Sequence, residues 1–325
     1  MGAYDTRIAG LAAAARAALV RRIDADGAWR ADPVWREAFA EVPRHLFVPY
    51  YYATGGDGYE RLWGESPDPA VRERWVRGAY DDAPLATRLR DGELVSSSSQ
   101  PSLMARMLVA LEVGAGDRVL EVGAGTGYNA ALLAHRLGDD DLVTTVDLEP
   151  EITESARQHL AVAGYHPAVV TGDGARGVPE RAPYDRIIAT CSLPTVPRAW
   201  LAQCRPGARV LTPLATGLLS LTVRDAGHAD GRFLPTAVYF VPLRGEIRSR
   251  PGPVSPDGLP AHALDREPFR FLLGLTQGAL DPREAYALWE RAGMPDRERY
   301  GVTVSGGHAR AWLDDPRGPF VWPLP

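Results

Sequence analysis

A glycine-rich turn, placed between a short apolar run and a helical pattern, constrains this chain more than any other feature. Residues 118–122 are typical of a buried strand, and residues 128–137 have apolar side chains at helical spacing. The intervening Gly123-Ala124-Gly125-Thr126-Gly127 lets the backbone turn tightly and approach a ligand, beside the unpaired N–H groups of a helix start. The turn is therefore either a nucleotide-type binding loop or a purely structural turn.

Strand and helix patterns alternate through the middle of the chain. Further strands are predicted at residues 142–147, 168–171, 187–190, 219–223 and 236–241, and further helices at residues 102–111, 150–163 and 282–291. Such alternation predicts the α/β class, with a doubly wound, Rossmann-like and mostly parallel sheet. The strands at 219–223 and 236–241 flank a Gly/Asp-rich turn and are typical of an antiparallel edge.

Composition divides the chain into three consecutive segments. Residues 1–78 form an N-terminal helical region, in which residues 50–78, rich in Tyr, Trp and Gly, are interpreted as an insertion or lid. The alternative for this insertion is a solvated loop with a short helix near residues 70–76. Residues 79–245 form the central domain. Residues 246–325 open on a Pro- and Gly-rich stretch but retain Phe, Trp and Leu, so we expect a small folded accessory region.

Acidic side chains follow the predicted strands at the positions a nucleotide-like ligand requires. Asp147 ends the second strand, where a carboxylate can accept from both ribose hydroxyls. Asp173, between Gly172 and Gly174 after the third strand, is placed to meet the edge amine of an adenine. Glu121 in the first strand suits the amino-acid part of S-adenosylmethionine. The carboxyl ends of parallel strands share one crevice, so these carboxylates predict one ligand site.

The residues favour S-adenosylmethionine over a dinucleotide. All 36 basic residues are arginine, which excludes any mechanism that needs a catalytic lysine, including the Tyr–Lys pair of short-chain dehydrogenases. The loop also lacks the G-x-G-x-x-G register, because its third glycine comes one position early. A dehydrogenase therefore remains a remote alternative.

The methyl acceptor is expected to be a peptide. A net charge of −5 argues against broad phosphate contacts, and the strand near residue 190 is followed by Cys191-Ser192-Leu193-Pro194, without the tetrad that holds an extruded base. An aspartyl carboxylate has a pKa near ~3.9, so it is already ionised at neutral pH and needs no general base. Alignment of oxygen, methyl carbon and sulfonium can then provide most of the catalysis.

Nucleic acid, membrane and metal are not expected partners. No apolar run has the length that crosses a bilayer, and Cys191 and Cys204 lack metal-ligand spacing. Cys191 follows an apolar run and is expected to be a buried thiol. A cytoplasmic, disulfide-free enzyme is the default interpretation.

The run Ser96-Ser97-Ser98-Ser99 has two interpretations. Four consecutive serines are typical of a flexible linker. Gln100-Pro101 and a helical pattern follow directly, and that helix leads to the first strand, which favours the wall of an active site instead.

The chain resembles the protein-L-isoaspartate O-methyltransferase family. The matching segments are VPRHLFVP (42–49), AYDDAPL (79–85), SQP (99–101), VLEVGAGTGY (119–128), GDG (172–174), APYD (182–185) and FVPL (240–243). They run in family order over about two-thirds of the chain. The resemblance implies a class I methyltransferase fold and transfer of a methyl group from S-adenosylmethionine to an aspartyl-type carboxylate.

The resemblance also implies roles for individual residues. Ser99 takes the position of the family's active-site serine, while Ser97 and Ser98 help to enclose the cofactor. Ser98 stands where the family often has isoleucine, so this wall is more polar. The family's cofactor positions fall on Gly123, Gly125, Gly127, Asp147, Asp173 and Gly174.

Two departures from the family set the functional hypotheses. The insertion after Pro49 and the region beyond Leu243 look like additions found in homologues that mature ribosomally made peptides. The leading hypothesis is therefore methylation of an aspartyl carboxylate in a modified peptide, leading to aspartimide or isoaspartate. A larger peptide surface would include Arg72, Arg74, Arg77, Arg88 and Arg90, whose alternative is a solvated face. General isoaspartyl repair and a non-catalytic cofactor-binding module are the other hypotheses.

Overall fold

The chain folds into two compact units whose segments interleave along the sequence. The computed structural model describes residues 3–55, 58–246 and 259–325. Unit 1 comprises Met1–Asp117 and Ala124–Thr171, and unit 2 comprises Arg118–Gly123 and Gly172–Pro325. The three consecutive segments expected from composition stay a prediction. The Pro- and Gly-rich opening of the expected accessory region, residues 248–253, lies outside the described residues.

Helices and strands account for most of each unit. The helices are α1 (Ala3–Asp26), α2 (Trp35–Glu41), α3 (Pro69–Ala79), α4 (Pro101–Leu111), α5 (Tyr128–Leu137), α6 (Pro150–Ala163), α7 (Arg198–Ala202), α8 (Ala261–Leu264), α9 (Glu267–Thr276) and α10 (Pro282–Arg291). The strands are β1 (Tyr50–Gly55), β2 (Gly58–Trp63), β3 (Leu85–Arg90), β4 (Glu93–Ser98), β5 (Val119–Val122), β6 (Val143–Asp147), β7 (Ala168–Thr171), β8 (Tyr184–Ala189), β9 (Cys204–Leu214), β10 (Gly217–Asp225), β11 (His228–Ala237), β12 (Tyr300–Ser305), β13 (His308–Leu313) and β14 (Val321–Pro323).

Unit 1 carries a small antiparallel sheet with the order β2-β1-β3-β4. The predicted insertion supplies β1 and β2 as a hairpin, and Tyr52 of β1 pairs with Ala86 of β3. The solvated-loop alternative for this insertion is wrong, although its short helix exists as α3. The hairpin packs on α3, where the Tyr51 hydroxyl donates to the Trp75 carbonyl.

The remaining elements of unit 1 follow the expected α/β alternation. Strands β6 and β7 pair in parallel, with Asp147 opposite Thr171 at their carboxyl ends. Helix α6 begins with Pro150, whose fixed φ suits a first helical position, and ends at Gly164 with φ of 84°. The predicted helices at residues 102–111, 128–137 and 150–163 are confirmed to within one residue. The core of this unit includes the buried aromatic side chains of Trp35, Phe39, Phe47 and Tyr128.

Unit 2 has a mixed sheet with the strand order β14-β13-β12-β11-β10-β9-β8-β5. The β5, β8 and β9 strands pair in parallel, and every pair from β9 to β14 is antiparallel. The α/β prediction with a mixed sheet is confirmed. Its antiparallel part is larger than an edge, because the strands of the expected accessory region extend the same sheet.

One strand prediction in this unit was wrong in its bounds, and two elements were not predicted. The strand expected at residues 236–241 is β11, which ends at Ala237, because the apolar run after it is interrupted by Pro242 and pairs only through isolated bridges. Strand β9 and helix α9 were not predicted from the sequence. Arg205, Pro206 and Gly207 at the start of β9 interrupt the pattern that is typical of a strand. The core here contains the buried rings of Phe233, Phe271 and Tyr300.

None of the helices in the described ranges combines the length and apolarity that a bilayer crossing demands.

Gly231 and Gly10 provide a matched test of this packing. A Cβ on Gly231 of β11 would lie 1.9 Å from the backbone oxygen of Ser220, whereas a Cβ on Gly10 in α1 would meet nothing within 4 Å. We expect Gly231→Ala to lower the free energy of unfolding by ~3 kcal/mol or more. Gly10→Ala is expected to raise it by about 0.5–1 kcal/mol. Urea denaturation followed by circular dichroism measures both, and equal effects would contradict the β10–β11 register.

Candidate active site

The serine run is a strand rather than a linker. Residues 96–98 end β4, where Ser98 pairs with Leu85 and Ser97 pairs with Ala86 of β3. Ser96 and Ser98 are buried, at 8% and 3% exposure, while Ser99 follows the strand directly. The linker interpretation is wrong, because backbone pairing and burial hold these serines in place.

Arg44 anchors the end of this strand from beneath. Its guanidinium is fully buried and donates to the carbonyls of Ala79, Asp81 and Ala83 at 2.9–3.2 Å. The Nη2 atom of Arg44 lies 3.0 Å from the Ser99 carbonyl oxygen. It also lies 3.4 Å from both the carbonyl oxygen and the Oγ of Ser98. One side chain therefore fixes the loop after α3 and the junction between β4 and α4.

Burial changes the acidity of Arg44 without removing its charge. Desolvation lowers the pKa of the Arg44 guanidinium to about 10, and nearby Tyr128 and Asp82 oppose this shift. The side chain remains a cation at neutral pH. Its charge is matched by carbonyl dipoles rather than by a directly bonded carboxylate, which makes the planar guanidinium hard to replace.

Asp82 completes the support of the serine segment. Its carboxylate accepts from the backbone N–H of Ser102 at 2.8 Å and from the Gln100 amide at 3.3 Å. A carboxylate against the first turn of α4 also complements the positive end of the helix dipole. The Gln-Pro pair that follows Ser99 therefore starts a helix in a fixed position.

Within unit 1, the glycine loop, Asp147 and the serine strand come together. The Gly125 N–H donates to Asp147 Oδ2 at 3.2 Å. A Cβ on Gly125 would lie 3.6 Å from the Ser97 carbonyl oxygen and 3.9 Å from Ser96 Oγ, and Gly125 has φ of 52°. Gly127 precedes α5 with φ of 86° and packs against α6. These contacts bring Asp147, the glycine loop and the Ser96–Ser97 part of β4 together, and the cofactor roles expected for Asp147, Ser97 and Ser98 stay predictions.

Within unit 2, the end of β5 meets the Gly-Asp-Gly segment. The Thr190 hydroxyl donates to the Gly123 carbonyl at 2.8 Å, and a Cβ on Gly123 would lie 2.6 Å from that hydroxyl. A Cβ on Gly174 would lie 2.5 Å from the Val122 side chain. Both glycines are required because the two segments approach each other closely.

Asp173 and Glu121 occupy different environments. The Asp173 carboxylate accepts from the backbone N–H groups of Ala175 at 2.9 Å and Glu246 at 2.8 Å, which orient it at the end of β7. Glu121 lies inside β5, opposite Ile188, with 1% exposure. The cofactor roles expected for both residues stay predictions.

Several of the expected peptide-binding arginines are engaged with carboxylates. Arg74 makes a bidentate pair with Glu60 at 2.9 and 2.6 Å. Arg88 pairs with Glu151 and Arg90 pairs with Glu149. Arg77 is exposed and Arg72 is half-buried. These pairs favour the solvated-face alternative for Arg74, Arg88 and Arg90.

Arg44 is the residue that sequence reasoning missed. It lies inside the quoted VPRHLFVP segment, yet it was given no role. The available signal was an arginine in a segment with apolar residues at Val42 and Leu46. Such a segment predicts burial, and a buried arginine requires several hydrogen-bond acceptors around it. Cys191 and Cys204 form no disulfide, and Cys191 is buried as expected. In the described ranges, no three His, Cys, Asp or Glu side chains gather as metal ligands would.

Arg44→Lys tests the anchoring role. An ammonium has three donors on a flexible stem and cannot reproduce the fork that reaches Ala79, Ser98 and Ser99. We expect the free energy of unfolding to fall by ~2–4 kcal/mol. The matched control is Arg74→Lys at the exposed Glu60 pair, which is expected to leave the free energy of unfolding nearly unchanged because solvent screens this pair. Equal losses would show that the Arg44 contacts contribute no more than a surface ion pair.

His45 predicts a pH dependence of stability. Burial, assisted by the charge of Arg16, lowers the pKa of His45 to about 4, and its Nδ1 lies 2.7 Å from the Tyr80 hydroxyl. Between pH ~6.5 and about 4 the His45 imidazole binds a proton in the unfolded chain but stays neutral in the native state. Stability is therefore lost as pH falls through this window, by up to ~3 kcal/mol. Urea titrations of wild type and His45→Gln should show this extra loss in wild type alone.

Comparison with known proteins agrees with this geometry. Residues 69–247 match the family model of protein-L-isoaspartate(D-aspartate) O-methyltransferase. A protein-L-isoaspartate O-methyltransferase from Aeropyrum pernix is 37% identical over 65% of this chain and 72% of its own length. One from Ignicoccus hospitalis is 35% identical over 69% of this chain and 95% of its own.

Solved structures show the same fold. One is a protein-L-isoaspartate O-methyltransferase, which aligns with this chain at a TM-score of 0.63 and 24% identity. The alignment covers 92% of this chain and 100% of the other. A β-aspartate methyltransferase from Plasmodium falciparum, in complex with S-adenosyl-L-homocysteine, has a TM-score of 0.51 and 15% identity over 70% of this chain and 97% of its own. This chain therefore belongs to the protein-L-isoaspartate(D-aspartate) O-methyltransferase family and is an S-adenosylmethionine-dependent carboxyl O-methyltransferase of the class I α/β fold.

Proposed function

We propose that this enzyme methylates the side-chain carboxylate of isoaspartyl residues in damaged peptides and proteins. The observation that carries the proposal is the placement of Ser99, whose carbonyl is held by Arg44 and which lies between the end of β4 and Gln100, the N-cap of α4. The names of the relatives support the isoaspartyl substrate, since they match about two-thirds of the chain. This function was the runner-up from the sequence and now takes precedence over dedicated peptide maturation.

The chain's own residues would act chiefly by orientation. S-adenosylmethionine supplies an electrophilic methyl group on a sulfonium. The substrate carboxylate is ionised at neutral pH, so the enzyme needs no group to deprotonate it. The Ser99 hydroxyl would donate to one carboxylate oxygen and leave the other free to attack. Because β4 and Arg44 hold the Ser98–Ser99 backbone, this donor would be positioned before substrate arrives.

The cofactor residues divide between two sets of contacts. In unit 1, Asp147 beside Gly125 would accept from ribose hydroxyls, and Ser97 and Ser98 would line the methionine part. In unit 2, Asp173 and Gly174 would contact the adenine. Gly123 would be the point at which the backbone approaches the cofactor most closely. Glu121 would act on the amino-acid part. These assignments are proposals, supported by the local geometry of each set.

Maturation of a ribosomally made peptide remains the second candidate. The observation in its favour is the β1–β2 hairpin, where the Arg61 guanidinium lies 4.3 Å from the centroid of the Tyr50 ring and 5.8 Å from that of Trp63. This half-exposed aromatic surface could hold a particular peptide. The region beyond Leu243 argues less strongly, since a solved protein-L-isoaspartate O-methyltransferase covers 92% of this chain.

Two synthetic peptides, identical except for isoaspartyl or aspartyl at one position, distinguish the candidates. We expect transfer of labelled methyl to the isoaspartyl peptide at least tenfold faster, measured as base-labile label. Repair requires this preference. Preference for the aspartyl peptide would overturn it and favour maturation.

Ser99→Ala separates catalysis from cofactor binding. Loss of the orienting hydroxyl is expected to lower kcat about 10²–10³-fold, as removal of one positioned donor does. The shift in melting temperature caused by S-adenosyl-L-homocysteine should persist. Ser305→Ala, in β12, is the control and should retain wild-type kcat. Unchanged kcat in Ser99→Ala would remove Ser99 from the mechanism, and absence of methylation in wild type would support the non-catalytic binding module.

A further inference from the structure

Unit 2 contains a pocket of about 460 Å³ that the proposed catalysis does not use. Its walls come from the segment after Gly174, from α7 with the loop before it, and from the β12–β13 turn. Val196, Val304 and Ala309 line it and are 3%, 2% and 8% exposed. The residues of β12 and β13 lie beyond the range that the family model matches. The pocket is therefore built jointly by the family domain and by the strands added after it.

Arg198 supplies a cation at the rim of this pocket. Its side chain is exposed, and its guanidinium lies against the β12–β13 turn at Gly307. A Cβ on Gly307, which has φ of 84°, would lie 2.5–2.9 Å from the guanidinium atoms. Glycine at this position therefore permits the contact. Among the residues the structure describes, no carboxylate lies within ion-pair distance of Arg198, so its donors remain available to an anion.

A second arginine at the rim is already paired. Arg176 forms an exposed ion pair with Glu246, which raises the pKa of Arg176. Glu246 also donates its backbone N–H to Asp173. Arg176 therefore contributes little free charge, while Arg198 provides the principal attraction for a negative group. His308 adds a further polar side chain to the lining.

We propose that this pocket binds an acidic segment of the peptide substrate, separate from the residue that is methylated. A glutamate or aspartate of the substrate would accept a bidentate hydrogen bond from Arg198, and a neighbouring apolar side chain would pack on Val196 and Val304. The mixture of an apolar floor and one available guanidinium fits such a segment better than a small inorganic anion. The proposal rests on the function proposed above, in that it takes a peptide as the substrate.

Direct binding tests the pocket without methyl transfer. The probe is a fluorescein-labelled synthetic peptide in which leucine and glutamate alternate, compared with the same peptide carrying glutamine for glutamate. Fluorescence anisotropy with the full chain should show about tenfold weaker binding of the glutamate peptide to Arg198→Ala. Arg198→Lys should fall between the two, because it keeps the charge but loses the fork.

Arg310→Ala is the matched control. Arg310 is an exposed arginine of the same β12–β13 hairpin, outside the pocket lining, and its loss changes the net charge equally. We expect Arg310→Ala to change the affinity for the glutamate peptide by less than twofold. Equal weakening by Arg198→Ala and Arg310→Ala, or equal binding of the two peptides, would overturn the proposal. Displacement of the probe by inorganic phosphate at lower concentration than by unlabelled peptide would assign the pocket to a small anion and also overturn it.

A kinetic arm keeps this proposal distinct from the proposed function. Two isoaspartyl peptides are compared, one short and one joined by a Gly/Ser linker to the leucine–glutamate segment. Arg198→Ala should raise KM about tenfold for the extended peptide alone, with kcat unchanged. If wild type methylates neither peptide, the proposed function fails while the anisotropy result still decides the pocket. If wild type methylates both and Arg198→Ala changes nothing, only the pocket proposal fails.

Discussion

The buried guanidinium of Arg44 organises the surroundings of the proposed catalytic serine. Its terminal nitrogens contact backbone oxygens from the loop after α3 and from the end of β4, two segments separated by fifteen or more residues. A cation in an apolar interior is costly unless its donors are satisfied, so the chain must bring these carbonyls together. The hydrogen bonds from the two terminal nitrogens of Arg44 therefore help to fix the position of the Ser99 backbone.

Hydrogen bonds to the backbone also hold three carboxylates in place. Asp82 lies beside the serine segment, and Asp147 and Asp173 lie at loops that are proposed to bind the cofactor. Each carboxylate accepts from backbone N–H groups, of Ser102, Gly125 and Ala175 respectively. Such bonds help to hold a charged side chain in one orientation. The loops around the proposed site are therefore organised mainly by side chain-to-backbone hydrogen bonds, which tolerate change at neighbouring side chains.

Sequence reasoning succeeded where local pattern and tertiary structure agree. The glycine turn, α5, α6 and β7 have strong local signals, and their bounds were predicted to within a residue. It failed where long-range pairing decides the structure. The serine run has a linker composition but becomes a strand because β3 pairs with it, and β9 starts at polar and glycine residues because β8 lies alongside. Arg44 and the pocket at Arg198 could not be predicted, because their contacts join segments far apart in the chain.

The last strand of unit 2 has a consequence for how the sheet ends. β14 is three residues long and contains Pro323, which lacks a backbone N–H. An edge strand normally presents a row of donors and acceptors that invites another chain to continue the sheet. A short strand closed by proline presents few of them. The strands that enlarge this sheet therefore also supply its protection against edge-to-edge aggregation at β14.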